Sequence, residues 1–258
     1  MYGKRLWIHC ALLASTACLP ARANFREQSS QLYALSAAGR VALENINGDV
    51  HIRAWDRNEV RVETVKNAVS QGLLNEARID VESSADAISI RTRYADGVTA
   101  NQGSVEFTIM VPRRARLDEI KLINGALDID GVSGEVNASS VNGPLRAKRI
   151  AGDAHLSTVN GKLEATFERL SDAGSISMNS VNGSITLSIP SDVHAEFNAR
   201  NVAGGIDNDF GIPVRRDQTA GSALHGVVKG GGAQINLQNI NGPICIVPVA
   251  NGRRVKFT

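Results

Sequence analysis

The chain has 258 residues, of which 43% are hydrophobic, 21% charged and only 4% aromatic. That apolar fraction excludes a wholly disordered chain, and the length suits one large domain or two small ones. A formal charge of +2 gives no nucleic-acid-binding field, and 24 glycines beside few aromatic rings point to many turns around a thin core.

Residues 1–23 have the layout of a secretory signal. Lys4 and Arg5 come first, Leu6 to Leu19 is apolar, and Ala21-Arg22-Ala23 is an A-x-A cleavage site before Asn24. The apolar run is too short to span a bilayer comfortably. A competing reading makes Cys18 the lipidated residue of an anchored lipoprotein, although Ser15-Thr16-Ala17-Cys18 lacks an aliphatic residue three before the cysteine. Cleavage would remove Lys4, Arg5 and Arg22 but no acid, so the slight basic excess belongs to the signal. Cys10 and Cys18 would leave too, and Cys245 would stand alone without an intramolecular disulfide partner. In Ile244-Cys245-Ile246-Val247 it reads as a small strand residue. The expected location is the periplasm or the cell surface, with no transmembrane segment after cleavage.

Residues 24–258 read as one repeat domain. Val41, Leu43, Val50, Ile52, Ala54, Val60 and Val62 alternate like strands around Asn47-Gly48 and a turn at 56–58. Residues 68–77 could be a short helix or a loop. Ile79 and Val81 pair with Ile88 and Ile90 as a further strand pair, and 94–103 is a polar loop. Val105, Phe107, Ile109 and Val111 form a strand stopped by Pro112.

Between 127 and 166 the apolar residues keep a nine-residue beat. Leu127, Ile129 and Val132 are followed by Val136, Ala138 and Val141, then Leu145, Ala147 and Ile150, then Ala154, Leu156 and Val159, then Leu163 and Ala165. Gly125, Gly134, Gly143, Gly152 and Gly161 keep the same beat, and every second one follows an Asn, so the full unit is 18 residues. Seven copies of [Ile/Val]-[Asn/Ala]-Gly-x-[Val/Leu/Ile] span most of the chain. Their turns are Asn47-Gly48, Asn124-Gly125, Asn142-Gly143, Asn160-Gly161, Asn182-Gly183 and Asn241-Gly242, with Ala203-Gly204 as a variant.

Alternation breaks at the same place in each unit, which a solenoid corner explains and which a meander would need a repeated bulge to match. The expected fold is all-β, a single-domain parallel β-solenoid or β-helix with coils of about 18–22 residues. An antiparallel meander or sandwich is the alternative, because Asn-Gly is also a hairpin signal. In the solenoid, residues 18 apart stack on adjacent coils. Asp128, Arg146 and Glu164 then form a charge ladder, Asp130 meets Lys148, and on the opposite sheet Asn137 meets His155 and Ser139 meets Ser157. Ala138, Ala147, Ala154 and Ala165 make the core thin, so stability must come from stacking many coils with capped ends. Residues 167–174 lengthen one coil, and 207–233, rich in Gly, Asp and Arg, reads as an irregular loop.

The chemistry-bearing motifs are sparse. No Gly-x-Ser-x-Gly elbow accompanies the histidines, no zinc spacing or phosphate-binding loop occurs, and Asp128-Ile129-Asp130-Gly131 lacks the later ligands of a calcium loop. No catalytic, cofactor or metal residue is assigned. Asp207, Asp209 and Asp217 are the candidate acids of a carbohydrate-active enzyme. With the signal, the Asn45-Ile46-Asn47-Gly48-Asp49-Val50 start, the strand 107–112 and the later Val-Asn-Gly coils, residues 39–250 resemble the bacterial putative-adhesin family of β-strand-repeat domains of unknown function. That resemblance implies an exported, right-handed β-solenoid-like domain and brings no catalytic residues. The functional expectation is a non-enzymatic envelope or surface module that binds an envelope protein or a surface glycan through flat polar sheets. A β-helix enzyme using the acidic loop, or a periplasmic scaffolding partner, is the alternative.

Overall fold

A computed structural model of the chain describes residues 25–94, 103–217, 221–250 and 253–254. The expected signal, 1–23, lies outside them. Two sheets of eleven strands each face one another across the core. Through the middle every neighbour is parallel and 18 residues apart: Val136 beside Ala154 on one sheet, sheet B, and Leu127 beside Leu145, which lies beside Leu163, on the other, sheet A. The next step is 22 residues, Ala154 to Ile176, because 167–174 adds to one coil. This is the solenoid, and the meander reading falls. Antiparallel pairing is confined to the ends of the stack and to the short return Arg253–Arg254.

Asn-Gly turns carry the chain from sheet B to sheet A. At Gly161 φ is +153°, and a Cβ would sit 2.2 Å from the carbonyl oxygen of Gly143 on the coil below. Both the backbone angle and the close stacking therefore demand glycine. The opposite corner is as tight: a Cβ on Gly152 would lie 2.3 Å from the Gly134 oxygen. Between corners the strands alternate. Leu127, Ile129, Leu145, Ala147, Leu163 and Ala165 point inward from sheet A, and Val136, Ala138, Ala154 and Leu156 from sheet B.

Four points correct or add to the sequence reading. Val141 and Val159 do not enter the core. Alternation on sheet B runs unbroken to the corner, so Ser140 and Thr158 are buried and each valine is 39% exposed. Asp130 is level with Lys148, but its ion pair is with Arg149, whose φ of +52° swings the side chain back. Residues 207–233 are not an irregular loop. Val214–Asp217 and Gly221–Val228 form a hairpin that extends sheet B, with Leu224 buried. Finally, spatial order is not chain order. The last coil, Ala233–Asn241 and Ile244–Ala250, lies between the coil beginning at Ser175 and the coil beginning at Ala195. At the other end, strands Ala87–Arg93 and Gly103–Pro112 lie outside Arg40–Asn47 and Val50–Trp55.

The ends are closed by added structure. Phe25–Ala34 and Glu59–Ala68 cap sheet A, and Arg78–Ser83 caps sheet B. Between the caps, 68–77 holds a helix, Gln71–Glu76, with Ser70 as N-cap and Leu74 buried.

Candidate binding surface

Each corner asparagine stacks on the next. Asn124 donates from Nδ2 to Asn47 Oδ1 at 2.8 Å, Asn142 to Asn124 at 2.9 Å, Asn160 to Asn142 at 3.0 Å, Asn182 to Asn160 at 3.0 Å and Asn241 to Asn182 at 2.8 Å. Every turn residue singled out in the sequence thus stands in one column, with Gly48, Gly125, Gly143, Gly161, Gly183 and Gly242 beside it, each at positive φ. The ladder ends at Ala203, which has no amide to extend it. A second set of asparagines, which the repeat pattern does not mark, lies beneath the corner. Asn45, Asn239 and Asn201 are buried and donate to corner carbonyls, Asn239 to Gly183 and Gly242 at 2.9 Å each. Their only sequence signal is the spacing of two residues before the turn.

One position before each turn lies an aliphatic side chain that faces solvent. Ile46, Ile123, Val141, Val159, Val181, Ile240 and Val202 follow one another across sheet B, and the last six are 36–58% exposed. At about 4.8 Å per strand the ridge is about 29 Å long.

The two outer faces differ in chemistry. On sheet A, Arg146 meets Asp128 at 3.5 Å and Glu164 at 3.3 Å, His51 meets Asp128 at 3.2 Å, and Arg149 meets Asp130 at 2.6 Å. The charges answer one another. Sheet B carries a gradient. At its N-terminal end Glu44, Arg91, Lys121 and Glu119 form a paired network, in which the Arg91 hydrogen bond, helped by Lys121, holds the Glu44 carboxyl below the usual carboxylate range. Across the middle the outward residues are uncharged or neutral amides, hydroxyls and imidazole: Asn137, Ser139, His155, Ser157, Ser177 and Asn179, then Asn236 and Gln238. Among the described residues only Asn179 and Ser177 of these bond to each other; the rest have no side-chain partner.

The acids expected to form a cluster are separated by the fold. Asp207 is on sheet A beside Cys245, and Asp217 ends a strand of sheet B. Asp209 follows Asp207 in a turn. Cys245 is half-buried in the strand Ile244–Ala250, level with Thr186 and Asp207 on its neighbours. Among the described residues no helix is long and apolar enough to cross a membrane, and no three His, Cys, Asp or Glu side chains gather as metal ligands.

Solved structures with this architecture exist. A "putative cell adhesion protein" of Clostridium sporogenes superposes with a TM-score of 0.53 at 11% identity, covering 86% of this chain and 99% of its own. A "putative adhesin" of Bacteroides fragilis gives 0.31 at 8% identity, over 86% and 97% of the two chains. A "putative lipid binding protein" of Parabacteroides distasonis gives 0.28 at 13%, over 85% and 96%. The first likeness supports the fold. No curated protein matches the sequence. The family model described as Toastrack DUF4097 matches residues 35–246, nearly the whole of the described solenoid. By that match, the chain belongs to the Toastrack DUF4097 family.

Proposed function

We infer that this is an exported envelope or surface protein that binds without turning over its ligand, and that sheet B is its binding face. The observation that carries this reading is the contrast in side-chain partners. On sheet A, Asp128, Arg146 and Glu164 pair with one another, whereas among the described residues the amides and hydroxyls in the middle of sheet B, Asn179 with Ser177 apart, have no side-chain partner. Such groups lose no internal bond when a ligand replaces water, so many weak contacts can add along an extended face. The 29 Å aliphatic ridge beside them adds apolar area to the same side. The signal-like N-terminus supports export, and the separation of Asp207 from Asp217 weakens a glycosidase reading.

The test is retention of the mature chain on isolated cell-envelope fractions, with two variants. His155→Glu with Asn179→Glu, on sheet B, loses retention. Arg146→Gln, on sheet A, keeps it. Equal retention of both, or loss only with Arg146→Gln, would assign binding elsewhere. Protease added to intact producing cells separates the two locations: degradation places the protein outside, and protection places it in the periplasm.

A further inference from the structure

At its C-terminal end sheet B changes character again. Strands Ala195–Ala203, Ala233–Asn241, Gly221–Val228 and Val214–Asp217 bound an open groove of about 510 Å³. Its polar lining is Asn198, Arg200, Arg215, His225, Asn236 and Gln238, and among the described residues no carboxylate lines it. The pairing register sets the pattern. Arg200 lies opposite Ala223, and Ala223 opposite Arg215, so the two arginines flank Ala223 from the strands on either side of it. Asn198 stands between Asn236 and His225, and its Oδ1 accepts from the His225 Nδ1 at 2.8 Å.

Several exposed arginines on the sheets meet acids, Arg91 with Glu44, Arg93 with Asp80, Arg116 with Glu135, and Arg146 with Asp128 and Glu164, although Arg53 and Arg78 meet none among the described residues. Arg200 and Arg215 make no ion pair among the described residues. An anion held over Ala223 between them would pair with both guanidinium groups.

We propose that this groove binds a carboxylated glycan. The inference rests on sheet B being the binding face and names the ligand class for its C-terminal end. The two guanidinium forks suit carboxylates, which they can hold bidentately. Asn198, Asn236 and Gln238 each offer both donors and acceptors, which suits sugar hydroxyls. The groove is open along the sheet, so a chain held there continues over Asn179, Ser177 and Ser157 on the neighbouring strands. No aromatic side chain lines it to stack a nucleic-acid base.

The experiment measures binding of the mature chain to polygalacturonate, alginate and hyaluronan, to methyl-esterified polygalacturonate, and to phosphatidylglycerol vesicles. The expected result is binding to at least one carboxylated polymer and loss of binding on esterification. Arg200→Gln and Arg215→Gln each weaken it about tenfold or more, the effect of losing a charge-assisted hydrogen bond. Ala223→Glu, which supplies the missing anion from within, abolishes it, while Arg146→Gln on sheet A leaves it unchanged. Thermal melts confirm that each variant is folded. Equal affinity for the ester, indifference to both arginine variants, or binding to vesicles alone would overturn the proposal. Binding that survives the arginine variants but is lost in His155→Glu with Asn179→Glu would overturn the groove while leaving sheet B as the binding face. Absence of binding to all three acidic polymers would overturn the ligand class.

Discussion

The two faces of the solenoid are built from the same repeat yet solve opposite problems. Sheet A sets an acid above a base above an acid, as in Asp128, Arg146 and Glu164, which are spent on one another. Sheet B sets Asn and Ser beside His and Ser, as in Asn137, Ser139, His155 and Ser157, which make no side-chain bond to each other across the register. Both faces sit on equally regular parallel strands. What separates them is therefore the outward residue alone, and it marks one face as self-satisfied and the other as available.

The sharpest way to break this account is a pair of substitutions at two positions of the same apolar beat. Ile129 is 1% exposed and Val141 is 39% exposed. Ile129→Asp buries an unpaired carboxylate in the core and should cost several kcal/mol, enough to abolish cooperative unfolding in a urea titration. Val141→Asp should stay within about 0.5 kcal/mol of the parent, because it changes only the ridge. Similar losses at both positions would place the valines in the core and undo the assignment of faces.

Next in size is the corner. Asn142→Ala removes one ladder bond above and one below, from Asn160 and to Asn124. A cost of about 1–2 kcal/mol is expected in chemical denaturation, and Asn182→Ala should behave alike. A smaller effect belongs to sheet A. Arg146→Ala should cost about 0.2–1 kcal/mol at low salt and less at high salt, because both partners are partly exposed and screened. The last effect, confined to alkaline pH, concerns Tyr94, whose phenol burial pushes up to about 12. The folded state favours the protonated ring, so this contribution is intact below the unfolded phenol value near 10 and is lost as pH rises through about 12. Ultraviolet titration should show this ring ionising late, and Tyr94→Phe should remove that step.

Much of the fold was legible because its strictest requirement is local. Only glycine passes the corner at Gly143 or Gly161, so the period is written in glycine, and the Asp128-Arg146-Glu164 ladder confirms it through charge. The depth of the third apolar residue was not legible. Val141 and Val159 look like core by identity, and only the unbroken strand shows that Ser140 and Thr158 take the inner place. The coil order was hidden for a different reason. Every coil offers its neighbours the same edge, so no local feature says that Ala233–Asn241 should lie between Ser175–Asn182 and Ala195–Ala203. The hairpin within 207–233 was masked by its glycines and charges. With it went the groove, because Arg200, Ala223 and Arg215 are neighbours only through that pairing.

The most direct test of sheet B as the binding face is hydroxyl-radical footprinting of the mature chain, free and bound to an isolated envelope fraction. Val159, Val181 and Ile240 on the ridge, with His155 beside them, should be protected on binding, while Leu32 and His51 on sheet A keep their free reactivity. Protection of Leu32 and His51 with an unchanged ridge would contradict the account.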